Sequence, residues 1–490
     1  MSSALIIIAA TALVALGLGL GARAGRTMGL EQWTVGGRGF GFILVFLLLA
    51  GEIYTTFTFL GGSGYAYGKG APTYYILSYG ALAYVISYWM LPPIWRYANE
   101  HKLISQPDFF IAKFESPVLG VLVALVGIVA LVPYLVLQFK GLGIIVEVAS
   151  YGAVSRTLAV WVGAAVATLY VMVSGVHGSA WTAVLKDAAI LAVALFLGIY
   201  LPLHYYGGYG EMFSAIQAAR PGFLALPPHG QSLAWFDSTV LLTALGFFMW
   251  PHSFVAVYTA RHERIFRQNA IVLPIYQIIL LFVFFVGFAA ILRVPGLTGG
   301  DIDLSLFYLS RKTFSPWVLG LIGGAGVLTA LVPGSMIMMT AATLTANNVY
   351  RVFHPAVSDD HLAMVAKWLV PVVALVAVWF TLQGGQTIVA LLLMGYSFVT
   401  QLFPSLIMSL KRDNPVPREA AIAGICVGVA AVAVTTLSNA SLAALLPRAP
   451  DVVQDLNIGI VALILNVATM LVVTVLVRAF SAGSEVAPHR

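Results

Sequence analysis

Apolar runs of about 20 residues recur from one end of this sequence to the other, each long enough to cross roughly 30 Å of hydrocarbon as an α-helix. A chain of this kind has few options. In lipid every backbone N–H and C=O must find a partner within the protein, which leaves helices and closed barrels. The runs are rich in Leu, Val, Ile and Gly without strict alternation, which disfavours a barrel, whose strands alternate lipid-facing and lumen-facing residues. Composition agrees: 60% of the 490 residues are apolar and 9% are charged, where a soluble domain carries about 25% charged residues. The expectation is an all-α integral membrane protein with one transmembrane domain over residues 1–490, bathed in lipid.

Thirteen spans can be drawn, at about 3–22, 41–67, 73–95, 117–145, 157–174, 180–203, 237–259, 269–292, 314–345, 363–382, 387–410, 416–437 and 456–478. Sixteen Lys and Arg residues, Arg23, Arg26 and Arg490 among them, fall on one set of loops and ends, against seven on the other. By the positive-inside rule this places the N-terminus outside and the C-terminus inside a cytoplasmic (inner) membrane. No Lys or Arg precedes the first apolar run, while Arg23 and Arg26 follow it. That is the pattern of a retained helix rather than a cleaved signal peptide. The formal charge of +6 does not imply a nucleic-acid partner, because the basic residues stand singly or in pairs with no continuous stripe. The one cysteine, Cys426, lies in an apolar run and reads as a small buried hydrophobe, with no disulfide framework or thiolate metal site.

Two spans are interrupted. The second contains Ala50-Gly51-Glu52 and then Gly61-Gly62-Ser63-Gly64; the seventh contains Trp250-Pro251-His252. They lie five spans apart, the repeat length of a transporter design in which two inverted five-helix halves each open with a broken helix. On that plan helix 1 is extra, helices 2–6 and 7–11 are the repeats, and helices 12–13 are peripheral. A kink without a ligand stays open as an alternative for either break alone.

Charges inside the spans carry the next constraint. A carboxylate near the bilayer centre costs at least ~2.5 kcal/mol, so Glu52 should face a cavity or a partner. Lys186 of the sixth span is the natural partner, giving either a proton- or ion-coupling pair or a static ion pair. Its neighbour Asp187 lies nearer the inside end, where it can join the coupling group or snorkel. Lys140 in the fourth span attracts an anion or snorkels to the outer interface. Gln138 is a better candidate to line a cavity. Thr55, Thr56 and Thr58 offer hydroxyls to a ligand, although Thr often bonds its own helix backbone. Trp250 sits at the second break, and His252 beyond Pro251 can titrate or, as its expected role, satisfy freed backbone carbonyls. Tyr396, Ser397 and Gln401 in the eleventh span are candidates of the same kind.

Enzymatic readings find no support. Gly64-Tyr65-Ala66-Tyr67-Gly68-Lys69-Gly70 lacks the Ser/Thr after Lys and the preceding strand of a phosphate loop. No histidine pair has zinc-ligand spacing on one helix, and no Gly-x-Ser-x-Gly elbow occurs at a strand-to-helix turn. No cofactor and no bound metal are expected.

Several short stretches resemble the sodium:solute symporter family. Gly36-Gly37-Arg38 leads into the broken second span; Pro107-Asp108-Phe109-Phe110 with Lys113-Phe114 precedes the fourth; Trp181-Thr182 and Pro251-His252 match further positions. The resemblance covers roughly the first 350 residues and implies thirteen helices in the inverted-repeat fold of the bacterial leucine transporter. Leu185-Lys186-Asp187, Met249-Trp250-Pro251-His252-Ser253 and Leu331-Val332-Pro333 resemble the monocarboxylate permease branch, which implies a lactate- or pyruvate-like substrate. The family's sodium site uses carbonyls that map near Gly51, Tyr54 and Ala330, and two hydroxyls that fall here on Pro333 and Gly334. Ala183 stands where many relatives carry an aspartate. The resemblance therefore implies a degenerate sodium site. Lys186, one turn beyond Ala183, can fill the vacated space, and Ser335 is a possible substitute ligand.

Three functions compete on this reading. The first is a proton-coupled transporter of a small monocarboxylate. The second is a sodium-coupled symporter of another small solute, such as an amino acid or pantothenate. The third is a membrane ligand sensor, disfavoured because such sensors append a kinase and this chain ends at Arg490.

Overall fold

The computed structural model describes residues 3–22, 25 and 28–484. Arg23, Arg26 and Arg490 of the charge count lie outside the described residues. The chain is helical throughout. In order, α1 (Ser3–Gly21), α2 (Phe42–Gly51), α3 (Ser63–Lys69), α4 (Tyr75–Glu100), α5 (Gln106–Phe114), α6 (Pro117–Ala149), α7 (Arg156–Tyr206) and α8 (Leu233–Gly246) make the first part. Then follow α9 (Pro251–Tyr258), α10 (Arg264–Gln277), α11 (Leu280–Ala290), α12 (Pro316–Thr343), α13 (Asp359–Gln383), α14 (Ile388–Val399), α15 (Arg418–Leu437) and α16 (Ile458–Ser484).

Nine helices among the described residues are long and apolar enough to cross a membrane. A tenth results if Leu233–Met249 and Pro251–Tyr258, bent by 50° at their junction, form one span. Helix lies within each of the thirteen predicted stretches, of which the second and third are not among the nine. The fifth and sixth run together as α7, divided at Gly175 by φ +55 and ψ −149. A side chain there would be strained in that conformation, and its Cβ would lie 2.5 Å from Trp33. The second stretch is divided into short pieces, and the third, α4, is rich in tyrosine and contains Pro92 and Pro93. Large apolar side chains such as Leu13, Ile43, Trp89, Leu169, Trp368 and Leu437 stay exposed on the outer faces of the bundle, as lipid requires. Cys426 is likewise exposed, which corrects the expectation of a buried thiol: its helix is peripheral and shows that residue outward.

Both predicted breaks are real. α2 ends at Gly51; residues 52–55 form turns, and a π-helical segment Phe57–Gly62 leads into α3. Between α8 and α9, Trp250 adopts an extended φ −65, ψ 130, the conformation favoured before proline. The two broken spans run antiparallel. At one end Phe40 N–H donates to Thr259 O at 2.9 Å and Arg261 N–H donates to Phe40 O at 3.0 Å. At the other, the Tyr65 ring lies 6.4 Å from that of Trp235, so the end of the first span meets the start of the second. The α15–α16 pair is stapled to the segment after α14 by Asn466, whose Nδ2 donates to Gln401 O at 2.7 Å.

Candidate functional site

The two breaks meet beside α6. Glu52 caps the end of α2, with its side chain 8% exposed. Its Oε2 accepts a hydrogen bond from Ser253 Oγ and lies 3.8 Å from His252 Nε2, while Oε1 has no hydrogen-bond partner. Tyr134 of α6 donates to the Glu52 carbonyl at 3.2 Å. Its ring packs 4.8 Å from Trp250 and 5.3 Å from His252. One turn on along α6, Gln138 Oε1 accepts from Thr56 Oγ at 2.7 Å, leaving its Nε2 unpaired. Tyr396 of α14 closes the group, 5.3 Å from Trp250 and 5.8 Å from Tyr79 of α4. Gly141 permits the close approach of α6 to the break, since a Cβ there would lie 2.6 Å from Thr56 Cγ2.

The result is a small, closed cluster between two broken helices. Gln138, Trp250, His252 and Tyr396 are each at most 3% exposed. Buried polar groups are normally paired, yet Gln138 Nε2, Trp250 Nε1, both His252 nitrogens and Glu52 Oε1 are not. Unpaired donors and acceptors gathered between two broken helices are suited to a small polar solute.

Several expectations need correction. Glu52 and Lys186 do not pair directly. Lys186 Nζ lies 2.9 Å from Asp187 Oδ1 and donates to Tyr54 O at 3.2 Å, whereas Glu52 turns to Ser253 on the other broken span. Asp187 does not snorkel; it is 4% exposed because the ammonium beside it holds it inside. Lys140 neither snorkels nor offers a free charge. It donates to Asp303 Oδ2 at 2.7 Å, to Gln386 O at 2.6 Å and to Gly300 O at 3.4 Å. His252 satisfies no freed carbonyl, as both its nitrogens are unpaired among the described residues. Thr58 spends its hydroxyl on Ile53 O at 2.6 Å and Thr55 O at 3.2 Å, and the Thr55 hydroxyl accepts from Phe57 N–H at 3.1 Å. Of the three threonines, Thr56 alone reaches Gln138.

The positions of the degenerate sodium site fall around Lys186. A Cβ at Gly51 would lie 3.1 Å from Lys186 Nζ, and the Tyr54 carbonyl accepts from the same ammonium. Ala183, Ala330, Pro333 and Gly334 are buried and offer no side-chain oxygen. Ser335 Oγ is engaged by Ser179 at 2.7 Å and Val332 O at 2.5 Å. Sequence reasoning missed Tyr134, Ser253, Tyr79 and Asp303. Tyr134 was findable, standing one turn before Gln138 on the same helix face; Asp303 carried no local signal.

The profile of the sodium:solute symporter family matches residues 33–428. The chain belongs to that family. It is 60% identical over 478 residues to the uncharacterized symporter YhjB of Bacillus subtilis, covering 98% of each chain. It is 29% identical over 393 residues to a monocarboxylate transport permease protein of Rhizobium johnstonii, covering 78% of this chain and 77% of the relative. Among solved structures, a Na+-coupled sialic acid symporter in a substrate-bound outward-open state superposes with a TM-score of 0.75 at 15% identity. The match covers 96% of this chain and 98% of that one. MhsT, solved in complex with L-phenylalanine, superposes with a TM-score of 0.54 over 87% and 98%. The fold is therefore the leucine-transporter-like one expected from the sequence. Family and fold are those of multi-pass secondary transporters and not of enzymes.

Proposed function

We propose that the chain carries a small monocarboxylate of the lactate or pyruvate kind by alternating access, coupled to protons. Thirteen spans with the N-terminus outside and the C-terminus inside a cytoplasmic membrane complete the reading, with the five-helix halves rocking about the two breaks. One observation carries it: the Lys186 ammonium lies against the Tyr54 carbonyl, in the place where the family resemblance puts a sodium ion. A fixed cation there supplies the positive charge that sodium brings elsewhere, and Glu52 is left as the group that can take up a proton. The unpaired donors of Gln138 and Trp250 favour a carboxylate, and a relative at 29% identity is named a monocarboxylate permease.

On this reading a protonated Glu52 admits the anion beside Lys186 and the opposite broken helix. Release of that proton on the other side restores a negative charge and expels the substrate. Thr56 and Tyr134 orient the site through Gln138 and the Glu52 carbonyl. A sodium-coupled alternative would need Ser335 to leave Ser179 and join the carbonyls; the family name favours it. The test is uptake of labelled lactate, pyruvate, acetate and alanine into proteoliposomes under imposed proton or sodium gradients. Accumulation driven by the pH gradient without sodium is expected; steep sodium dependence with indifference to pH overturns the reading.

A further inference from the structure

Lys140 is held by more partners than a surface lysine needs. Its ammonium has three N–H bonds, and the structure offers three acceptors: Asp303 Oδ2, Gln386 O and Gly300 O. Asp303 is 0% exposed, and the same Oδ2 accepts from the backbone N–H of Ile388 at 3.0 Å, the first residue of α14. The turn that carries it, Gly299–Leu304, is pressed onto α3 so closely that a Cβ at Gly64 would lie 2.8 Å from Ile302 O. One ion pair thus joins three elements, α6, the turn and the N-terminus of α14, and the turn in turn packs on α3.

We propose that the Lys140–Asp303 pair is a latch that holds the first half of α14 against α6 and closes the passage to the substrate cluster from that face of the membrane. α14 is built to swing. It is followed by a 3-10 segment, Thr400–Leu402, a form that often marks a hinge. Beside it a cavity of about 500 Å³, lined by Lys140, Leu391, Met394 and Phe398, leaves room for displacement. Ile388, Leu392 and Tyr396 are spaced one turn apart on one side of α14, so the latch at Ile388 and the aromatic contact of Tyr396 with Trp250 lie at two ends of the same stripe. With its three donors occupied, Lys140 receives no incoming anion in this state; the latch must part first. The inference rests on membership of a secondary-transporter family and is independent of coupling ion and substrate.

The test places a reporter cysteine at the shielded position Leu392, in a Cys426→Ser background. Its reaction with a membrane-impermeant maleimide is then timed from each side of the membrane in proteoliposomes. Lys140→Gln and Asp303→Asn, each added to the reporter, should speed labelling roughly tenfold from one side only, by shifting the closed–open equilibrium. The double variant Lys140→Gln/Asp303→Asn should label at a rate between the parent and the single variants, because neither partner is left as a lone buried charge. Folding is followed by size-exclusion profile and melting temperature. A static scaffold pair would lower the melting temperature and leave the labelling rate unchanged, and that overturns the proposal. So does faster labelling from both sides. If neither single variant folds, a double variant labelled at the parent rate also overturns it.

Discussion

The Lys186 ammonium bridges two elements: it lies 3.2 Å from the Tyr54 carbonyl oxygen on the first broken span and 2.9 Å from Asp187 Oδ1 on its own helix. Removing one partner of a buried ion pair strands the other in a low-dielectric interior, at about 3–5 kcal/mol. Lys186→Ala should therefore lower the melting temperature sharply, and Lys186→Ala/Asp187→Ala should recover part of the loss. The vacated space keeps the Tyr54 carbonyl and the Asp187 carboxylate. Sodium should then raise the melting temperature of Lys186→Ala and leave the parent protein unaffected. Equal stabilisation of both by sodium would remove the argument that the ammonium stands where the metal would.

Thr56 fixes the Gln138 side chain through the 2.7 Å bond to its Oε1, which aims the amide N–H2 into the cluster. Losing one such hydrogen bond typically costs about 1 kcal/mol. Thr56→Ala should raise the half-saturation concentration by roughly fivefold, with kcat little changed. Gln138→Ala should raise it further, since the donor itself is gone. Uptake kinetics in proteoliposomes at matched expression decide the matter; unchanged values in both variants would move the substrate elsewhere.

The helices were legible because lipid allows an apolar run almost no alternative to helix, and the breaks because Gly51 and Pro251 interrupt runs that are otherwise uniform. Thr56, Gln138, Trp250 and Tyr396 stand out as polar or aromatic residues inside apolar spans, and they gather around Tyr134 in one cluster. Charge pairing was less legible. Charge complementarity alone points Lys186 to Glu52, whereas Asp187, its immediate neighbour, satisfies it over a shorter reach. Glu52 found Ser253, which closes the Met249–Ser253 stretch but carries no charge to announce a partner. Lys140 pairs with a residue that lies on a turn far along the chain, and no pattern of spacing reports a contact made only by tertiary folding.

Asp108 holds together the opposite end of the bundle, outside the spans. Its Oδ2 accepts from the Ile104 and Ser105 N–H groups at 3.2 and 3.0 Å, and Oδ1 accepts from Asn347 and Asn348 Nδ2 at 3.0 and 2.6 Å. Burial nonetheless pushes the Asp108 carboxyl above its usual range, opposed by the bonds from Asn348, Ser105 and Ile104. A raised value means that the folded state holds the proton more tightly than the unfolded one. The stability contributed by Asp108 is then greatest at acid pH and declines as pH rises past about 4. Asp108→Ala leaves four donors unsatisfied, each worth roughly 1–3 kcal/mol when buried, and should lower the melting temperature. The gap to the parent should narrow as pH rises above about 4. A gap that widens over that range would show the carboxylate to be favoured by its donors after all.

Glu52 stands where coupling can be tested most directly. Its Oε2 is occupied by Ser253 on the opposite broken span, while Oε1 is free, so one carboxyl group touches both broken spans and keeps a site for a proton. Gln in its place preserves the shape and the acceptor for Ser253 but cannot release a proton. Glu52→Gln should therefore exchange labelled substrate across the membrane at a rate within about threefold of the parent, a change under 1 kcal/mol in the barrier. It should fail to accumulate substrate under an imposed pH gradient. Ser253→Ala removes a hydrogen bond and leaves the carboxyl in place; it should slow uptake without abolishing accumulation. Both are read from the same vesicles, as counterflow and as gradient-driven uptake. If Glu52→Gln still concentrates substrate against a gradient when only protons drive it, the proton travels by another group, and the unpaired imidazole of His252, 3.8 Å away, is the next to be replaced.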